Sequence, residues 1–105
     1  MATYLLAYHG GSMPETDAAR AKVMEAWGAW YGQIGAALVD GGNPIGQTKT
    51  VASSGAISDG GGANPISGYT IIKVDSIDQA LGAAKMCPIL GAGGSIEVAE
   101  TYEVM

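Results

Sequence analysis

The sequence has few basic residues and a single cysteine. Five Lys or Arg stand against ten Asp or Glu among 105 residues, a formal net charge of −5. Phosphate neutralisation needs clustered Lys and Arg, so this balance argues against a nucleic-acid partner. The lone cysteine, Cys87, cannot form an internal disulfide, which is typical of a reducing compartment. We therefore expect a cytoplasmic protein in which Cys87 is a small buried residue rather than a reactive thiol.

Long apolar runs and metal-ligand clusters are also absent from the sequence. No apolar run approaches the roughly 20 residues that a membrane span requires, and the first nine residues lack the basic start of a signal peptide. One histidine and scattered carboxylates do not make a metal quartet. We expect no membrane partner, no metal and no cofactor.

Phenylalanine is missing, whereas glycine is abundant. Two Trp, five Tyr and five Met supply the bulky side chains, and there are 17 Gly, against about seven for average usage. With 48% hydrophobic and 14% charged residues, the composition is that of a globular chain. Its length predicts one domain spanning residues 1–105.

The clearest local pattern is a strand that leads into a capped helix. Residues 69–74 are almost all β-branched or aromatic, which predicts a strand. Ser76 and Gln79 form a capping box in which the Gln side chain reaches back to the Ser76 N–H. The helix that follows is expected to end at Pro88. Its buried face is predicted to comprise Ile77, Ala80, Leu81 and Ala84.

The first half of the chain predicts a second unit of the same kind. Residues 3–8 form a strand, and Ser12 and Glu15 resemble another capping box, before a helix that runs to about Ile34. Helical spacing places Trp27 and Trp30 on one buried stripe. Two glycines inside this helix are interpreted as points of close helix–sheet packing. They are Gly28 and Gly32.

The remaining segments complete a recognisable order of elements. Residues 36–40 and 95–104 read as strands, and residues 48–52 and 56–58 as weak hairpin arms around Ser54-Gly55. The order β-α-β-(hairpin)-β-α-β predicts the ferredoxin-like α+β fold. Its sheet would be antiparallel in the order 4-1-3-2, with both helices on one face. Four glycine-rich loops would then converge at one end, which we expect to be the functional end. They are residues 9–11, 40–42, 60–68 and 91–94.

The helices would leave the other face of the sheet uncovered. That face carries Tyr69, Ile71 and Lys73, and is too apolar to face water. We expect a homodimer with two-fold symmetry that packs these faces together and encloses small cavities. Four residues are candidates for ligand binding in such a cavity: Tyr8, Ser12, Trp30 and Tyr69.

His9 is the candidate catalytic residue because it is the only imidazole in the chain. As a general base it would need a carboxylate to orient it, and Asp40 ends a strand at the same edge of the sheet. Because another strand lies between them, a contact requires both side chains to lean inward. The alternative is a histidine at the rim that bonds to loop backbone.

Several segments resemble the YCII-related (DGPF-domain) family. They are the end of the first strand through Gly10, residues 37–44, Asp59-Gly60, and above all residues 68–80, GYTIIKVDSIDQA. The resemblance spans nearly the whole chain and implies a dimeric α+β barrel. In YCII-type members a histidine on the first helix, with an aspartate, is proposed as an acid–base pair. Residues 15–34 contain no histidine here, so no residue of the first helix can take that role.

Three functional hypotheses follow. The first is a dimeric barrel that binds a small, partly aromatic molecule between sheet and partner. The second is an acid–base or cofactor-free oxygenase-type enzyme that uses His9 with Asp40 or Tyr69. The third is a non-catalytic assembly module.

Overall fold

The computed structural model describes residues 1–104, which form a four-stranded antiparallel sheet, two helices and a separate hairpin. The elements are β1 (Ala2–His9), α1 (Asp17–Ile34), β2 (Leu38–Asp40), β3 (Lys49–Val51), β4 (Ile57–Asp59), β5 (Ile66–Val74), α2 (Ile77–Ala84) and β6 (Ser95–Glu100). The strand order in the main sheet is β2-β5-β1-β6. When the hairpin strands β3 and β4 are left out of the count, this is the predicted order 4-1-3-2 read from the other edge.

Both helices pack on one face of the sheet. In the β1–β5 pairing Tyr4 lies opposite Ile72 and Leu6 opposite Thr70, and these side chains alternate to the same face. That face carries the core, in which Trp30 of α1 and Ala80 of α2 are buried. Its other buried members are Tyr4, Leu6, Tyr8, Ile72 and Cys87. The predicted arrangement of helices and the burial of Cys87 are confirmed.

Helix α1 begins later than the sequence predicted. Its N-cap is Thr16, whose hydroxyl accepts a hydrogen bond from the Ala19 N–H (3.2 Å). The predicted capping box of Ser12 and Glu15 is therefore wrong, because Thr16 supplies the same chemistry four residues further on. Residues 10–16 form a longer loop instead. The Nε–H of Arg20 donates to the Pro14 carbonyl (2.7 Å) and ties this loop to the first turns of α1.

Helix α2 is capped as predicted but is shorter. The Ser76 hydroxyl accepts from the Gln79 N–H (3.3 Å), whereas the Gln79 side chain accepts from the N–H of Asp75, one residue earlier than expected (2.9 Å). The helix ends at Ala84, before Pro88. Ala80 and Ala84 are buried, but Ile77 and Leu81 are 47% and 42% exposed. The predicted buried face was therefore wrong for the two large side chains.

Two strands are shorter than predicted. Residues 35–37 form a 3₁₀ turn before β2, and β6 ends at Glu100. The last backbone bond at this edge joins the Thr101 N–H to the Thr3 carbonyl (2.9 Å). Strand β1 starts at Ala2, so it offers almost no partner for the following residues. Tyr102 and Val104, predicted as strand residues, are consequently exposed.

The hairpin of β3 and β4 stands apart from the main sheet. Its strands pair in register from Lys49–Asp59 to Val51–Ile57, and the turn uses Gly55 at a φ of 89°. The Lys49 ammonium lies 2.7 Å from an Asp59 carboxylate oxygen. Every residue of both strands is exposed. The predicted hairpin is thus confirmed, and it adds nothing to the core.

The two glycines inside α1 face open space. A Cβ added at Gly28 or Gly32 would meet no atom within 4 Å, so the prediction of close packing against the sheet was wrong. Because glycine has more backbone freedom to lose than alanine, we expect Gly28→Ala and Gly32→Ala each to raise the free energy of unfolding by about 0.5–1 kcal/mol. Urea denaturation measures this. A loss of stability would indicate that a partner covers this helix face in solution.

No helix among residues 1–104 combines the length and apolar character needed to cross a bilayer.

Candidate functional site

A cleft of about 820 Å³ opens at the end of the sheet where the glycine-rich loops meet. One wall is α1, and the opposite side consists of the segments that follow β1 and β2 and precede β5. The lining includes members of all four loops that the topology predicted to converge. These members are Gly10-Gly11, Gly41-Gly42, Ser67-Gly68 and Gly91-Ala92.

Trp27 is the centre of the aromatic wall of the cleft. Its ring lies 5.5 Å from that of Tyr8, at an interplanar angle of 68°, and 6.0 Å from that of Tyr31. All three residues line the cleft. Edge-on and tilted contacts of this kind hold aromatic rings in place. The cleft therefore presents a fixed apolar surface suited to a flat ring.

Trp30 lies behind this wall rather than in it. Its side chain is only 1% exposed, and its indole N–H donates to the Ala83 carbonyl of α2 (2.9 Å). It is not among the lining residues, so its predicted contact with a ligand is not supported by the geometry. Trp27 occupies that position instead. Helical spacing placed both indoles on one stripe and could not tell which one borders the cleft.

A chain of hydroxyl groups fixes the loop that follows β2. The Tyr8 hydroxyl donates to Thr70 Oγ1 (2.6 Å), which in turn donates to the Gly41 carbonyl (3.0 Å). The Tyr31 hydroxyl donates to the same carbonyl (3.1 Å). Burial raises the pKa of both tyrosines above the ordinary value of 10.0. At neutral pH these groups are hydrogen-bond donors that hold the cleft in shape, and not bases.

The buried tyrosine makes stability depend on alkaline pH. The raised pKa of Tyr8 means that its contribution is complete below about pH 10 and is lost as the pH rises towards the folded-state pKa. In that range its slope reaches about 1.4 kcal/mol per pH unit. We expect Tyr8→Phe to flatten the decline in unfolding free energy between pH 10 and 11. Chemical denaturation at several pH values tests this, and an unchanged slope would contradict it.

Cys87 lies beside Tyr8, and its thiol is not activated as a nucleophile. Burial raises the pKa of its thiol above 9.0, so the thiol is protonated at neutral pH. A nucleophilic cysteine requires the opposite shift. The cleft therefore contains no activated thiol.

His9 bonds to groups that the sequence did not predict. Its Nε2 lies 3.1 Å from an oxygen of Glu97, and its Nδ1 lies 3.0 Å and 3.2 Å from the carbonyl oxygens of Asn64 and Pro65. Carbonyl and carboxylate oxygens accept hydrogen bonds, so both ring nitrogens face protein acceptors and neither faces open space. This arrangement anchors the segment after β4 and does not suit a general base.

Asp40 is not the carboxylate that orients His9. Its Oδ1 accepts the N–H of Gly42 (2.8 Å), two residues further along the chain. The predicted pairing of His9 with Asp40 is therefore replaced by the His9–Glu97 pair. In the β1–β6 register His9 lies opposite Ser95. Glu97 is two residues further along β6, so its side chain lies on the same face of the sheet as that of Ser95. That relation becomes visible only when the register is known.

The other predicted ligand-binding residues do lie at the cleft. Tyr8, Ser12 and Tyr69 all contribute to its lining. Tyr69 pairs with Ala7, so its side chain alternates to the face of the sheet opposite Tyr8. Their roles in binding remain predictions. Within residues 1–104 no group of three or more His, Cys, Asp or Glu side chains is placed to hold a metal ion.

Comparison with known proteins identifies the fold. No family model matches the chain, and neither does any curated protein. Among solved structures it is similar to 5-chloro-2-hydroxyhydroquinone dehydrochlorinase (TftG) from Burkholderia phenoliruptrix AC1100, in complex with 2,5-dihydroxybenzoquinone. The match covers 96% of this chain and 93% of that one, with a TM-score of 0.55 and 16% identity. The likeness confirms the predicted α+β fold. At this identity it shows nothing finer.

Proposed function

We propose that the protein binds a small, flat aromatic molecule in the cleft between α1 and the glycine-rich loops. The observation that carries this proposal is the wall formed by Trp27, Tyr31 and Tyr8 in a space of about 820 Å³, within the range typical of small-molecule sites. The solved structure with a similar fold is a complex with a hydroxylated quinone, which also supports the proposal. The site lies within one chain, on the helix side of the sheet, whereas the sequence predicted a cavity between sheet and partner.

The proposal includes a homodimer formed through the other face of the sheet. Leu5 lies opposite Ile71 and Ala7 opposite Tyr69 on this face, which neither helix covers. An apolar sheet face of this kind is stabilised by a second copy related by two-fold symmetry. Family membership in the YCII-related group and a cytoplasmic location complete the proposal. They rest on the sequence resemblance and on the single free cysteine.

Ile71→Arg tests the dimer. A charge at the centre of a paired apolar face is costly to bury, so we expect the variant to elute as a monomer in sizing chromatography at a concentration where the wild type elutes as a dimer. Ile77→Arg is the matched control, because Ile77 is already exposed on α2. A wild-type chain that elutes as a monomer would refute the dimer. The proposal of ligand binding in the cleft would be unaffected.

Calorimetric titration with 2-naphthamide tests ligand binding. This flat, neutral probe should bind the wild type, and Trp27→Leu should weaken binding by about tenfold, which corresponds to about 1.4 kcal/mol. Loss of one stacking surface accounts for that magnitude. Tyr102→Leu is the control, because Tyr102 is an exposed aromatic outside the lining. Equal affinities for the Trp27 variant and the control would place the probe elsewhere and refute the proposed site.

A further inference from the structure

We propose that the natural ligand of the cleft is an aromatic monoanion, and that Lys22 pairs with its negative charge. This inference rests on the proposed function and specifies the chemistry of the molecule bound there.

The charge of the lining differs from that of the whole protein. The chain has twice as many acidic as basic residues, with a net charge of −5. The cleft lining nevertheless contains no Asp, Glu, Arg or His, and Lys22 is its one residue with a formal charge. A cleft without carboxylates and with one ammonium group favours a ligand with one negative charge.

The position of Lys22 suits a ligand that stacks on the aromatic wall. Val23, Trp27 and Tyr31 follow at intervals of four along α1 and all line the cleft, so they form one stripe of the helix surface. Lys22 lies beside the first residue of this stripe. Its ammonium can therefore meet a substituent at one end of a ring whose face contacts Trp27.

Within residues 1–104 the Lys22 ammonium forms no ion pair with a carboxylate. The ion pairs there involve His9 with Glu97 and Lys49 with Asp59. Glu25 lies three residues from Lys22 on the same helix but does not pair with it. The lysine charge is thus available to a ligand without the cost of breaking an internal salt bridge.

Ser12 supplies a polar hydroxyl group to the cleft lining. It lines the cleft, and its predicted capping role is taken by Thr16. The bond from Arg20 to the Pro14 carbonyl (2.7 Å) holds the Ser12 loop against the start of α1. A hydroxyl and an ammonium together match a carboxylate or phenolate oxygen. A phosphate dianion is less suited, because the lining contains no arginine to bind it in the bidentate manner.

A charged and a neutral probe of the same shape test the inference. Calorimetry at pH 7 and low salt would compare 2-naphthoate with 2-naphthamide on the wild type, Lys22→Met and Lys85→Met. We expect the wild type to prefer 2-naphthoate by about fivefold, the upper end for a partly exposed ion pair. Lys22→Met should remove that preference while 2-naphthamide affinity stays the same. Lys85→Met, an exposed lysine outside the cleft lining, should keep the preference.

The outcomes separate the two proposals. Equal affinity of the wild type for both probes, or a preference that survives Lys22→Met, would overturn the anionic ligand and leave the aromatic cleft intact. If Lys22→Met weakened the binding of both probes to the same extent, the anionic ligand would also be overturned, since the lysine would then contribute to the shape of the cleft and not to its charge. Failure of both probes to bind any of the three proteins would overturn the proposed function itself.

Discussion

Trp30→Ala is expected to destabilise the protein by about 3–5 kcal/mol, the cost of truncating a large buried aromatic side chain. Trp30 is 1% exposed at the junction of α1, α2 and the sheet. The change removes the contact between these layers and also leaves the Ala83 carbonyl without its indole donor. Domains of this size have stabilities of about 5–15 kcal/mol, so much of the folding free energy would be lost. Urea denaturation followed by circular dichroism measures the change.

Trp27→Ala is the matched comparison for Trp30→Ala. Both indoles belong to the same helix and lie 5.7 Å apart, but Trp27 is only partly buried and lines the cleft. We expect a smaller loss of stability from Trp27→Ala and a larger loss of 2-naphthamide binding. If the two variants lost the same stability, the division between a core indole and a cleft indole would be wrong.

The fold could be predicted because its signals are local and mutually consistent. The β-branched run in β5 and the capping pair of Ser76 and Gln79 each require only a few neighbouring residues. Once two strand–helix units are recognised, the handedness of their connections leaves few topologies. The sheet order followed from that restriction. The errors in element bounds arise where the partner strand or an alternative cap decides, and the other errors concern which side chains pack against the sheet.

The start of α1 and the exposed face of α2 show what local patterns cannot decide. Ser12 and Thr16 both fit an N-cap, and the loop that Arg20 holds in place selects the second. In α2, the small side chains of Ala80 and Ala84 let the helix approach the sheet. Ile77 and Leu81 remain at its flanks. Hydrophobic spacing alone marks all four as buried, because it carries no information on how close the sheet lies.

The site was predictable in place but not in detail. Strand direction alone brings the glycine-rich loops to one end, and the cleft is there. The choice of Glu97 over Asp40 as the partner of His9 depends on the β1–β6 register, which joins residues 88 positions apart. The importance of Trp27 and Lys22 depends on the rotation of α1 about its axis. Register and rotation are set by tertiary packing, so the single sequence left both open.

Gly42→Ala is expected to deform the wall of the cleft as well as the fold. Gly42 has a φ of 75°, a conformation that costs a side-chain-bearing residue about 1–2 kcal/mol. A Cβ there would overlap the Tyr69 carbonyl oxygen, so the backbone must move. We expect a loss of at least about 2 kcal/mol in unfolding free energy and loss of 2-naphthamide binding, measured by thermal denaturation and calorimetry.

Gly46→Ala is the control for this effect, because a Cβ at Gly46 meets no atom within 4 Å and its φ is not positive. The contrast follows from what Gly42 holds in place. Its N–H is bound by Asp40 (2.8 Å), and the preceding Gly41 carbonyl receives the Tyr31 and Thr70 hydroxyls. A displaced Gly42 pulls that carbonyl from both donors and shifts the loop that faces Tyr31. If Gly42→Ala behaved like Gly46→Ala, this loop would not approach β5 in solution, and the cleft would lack one of its walls.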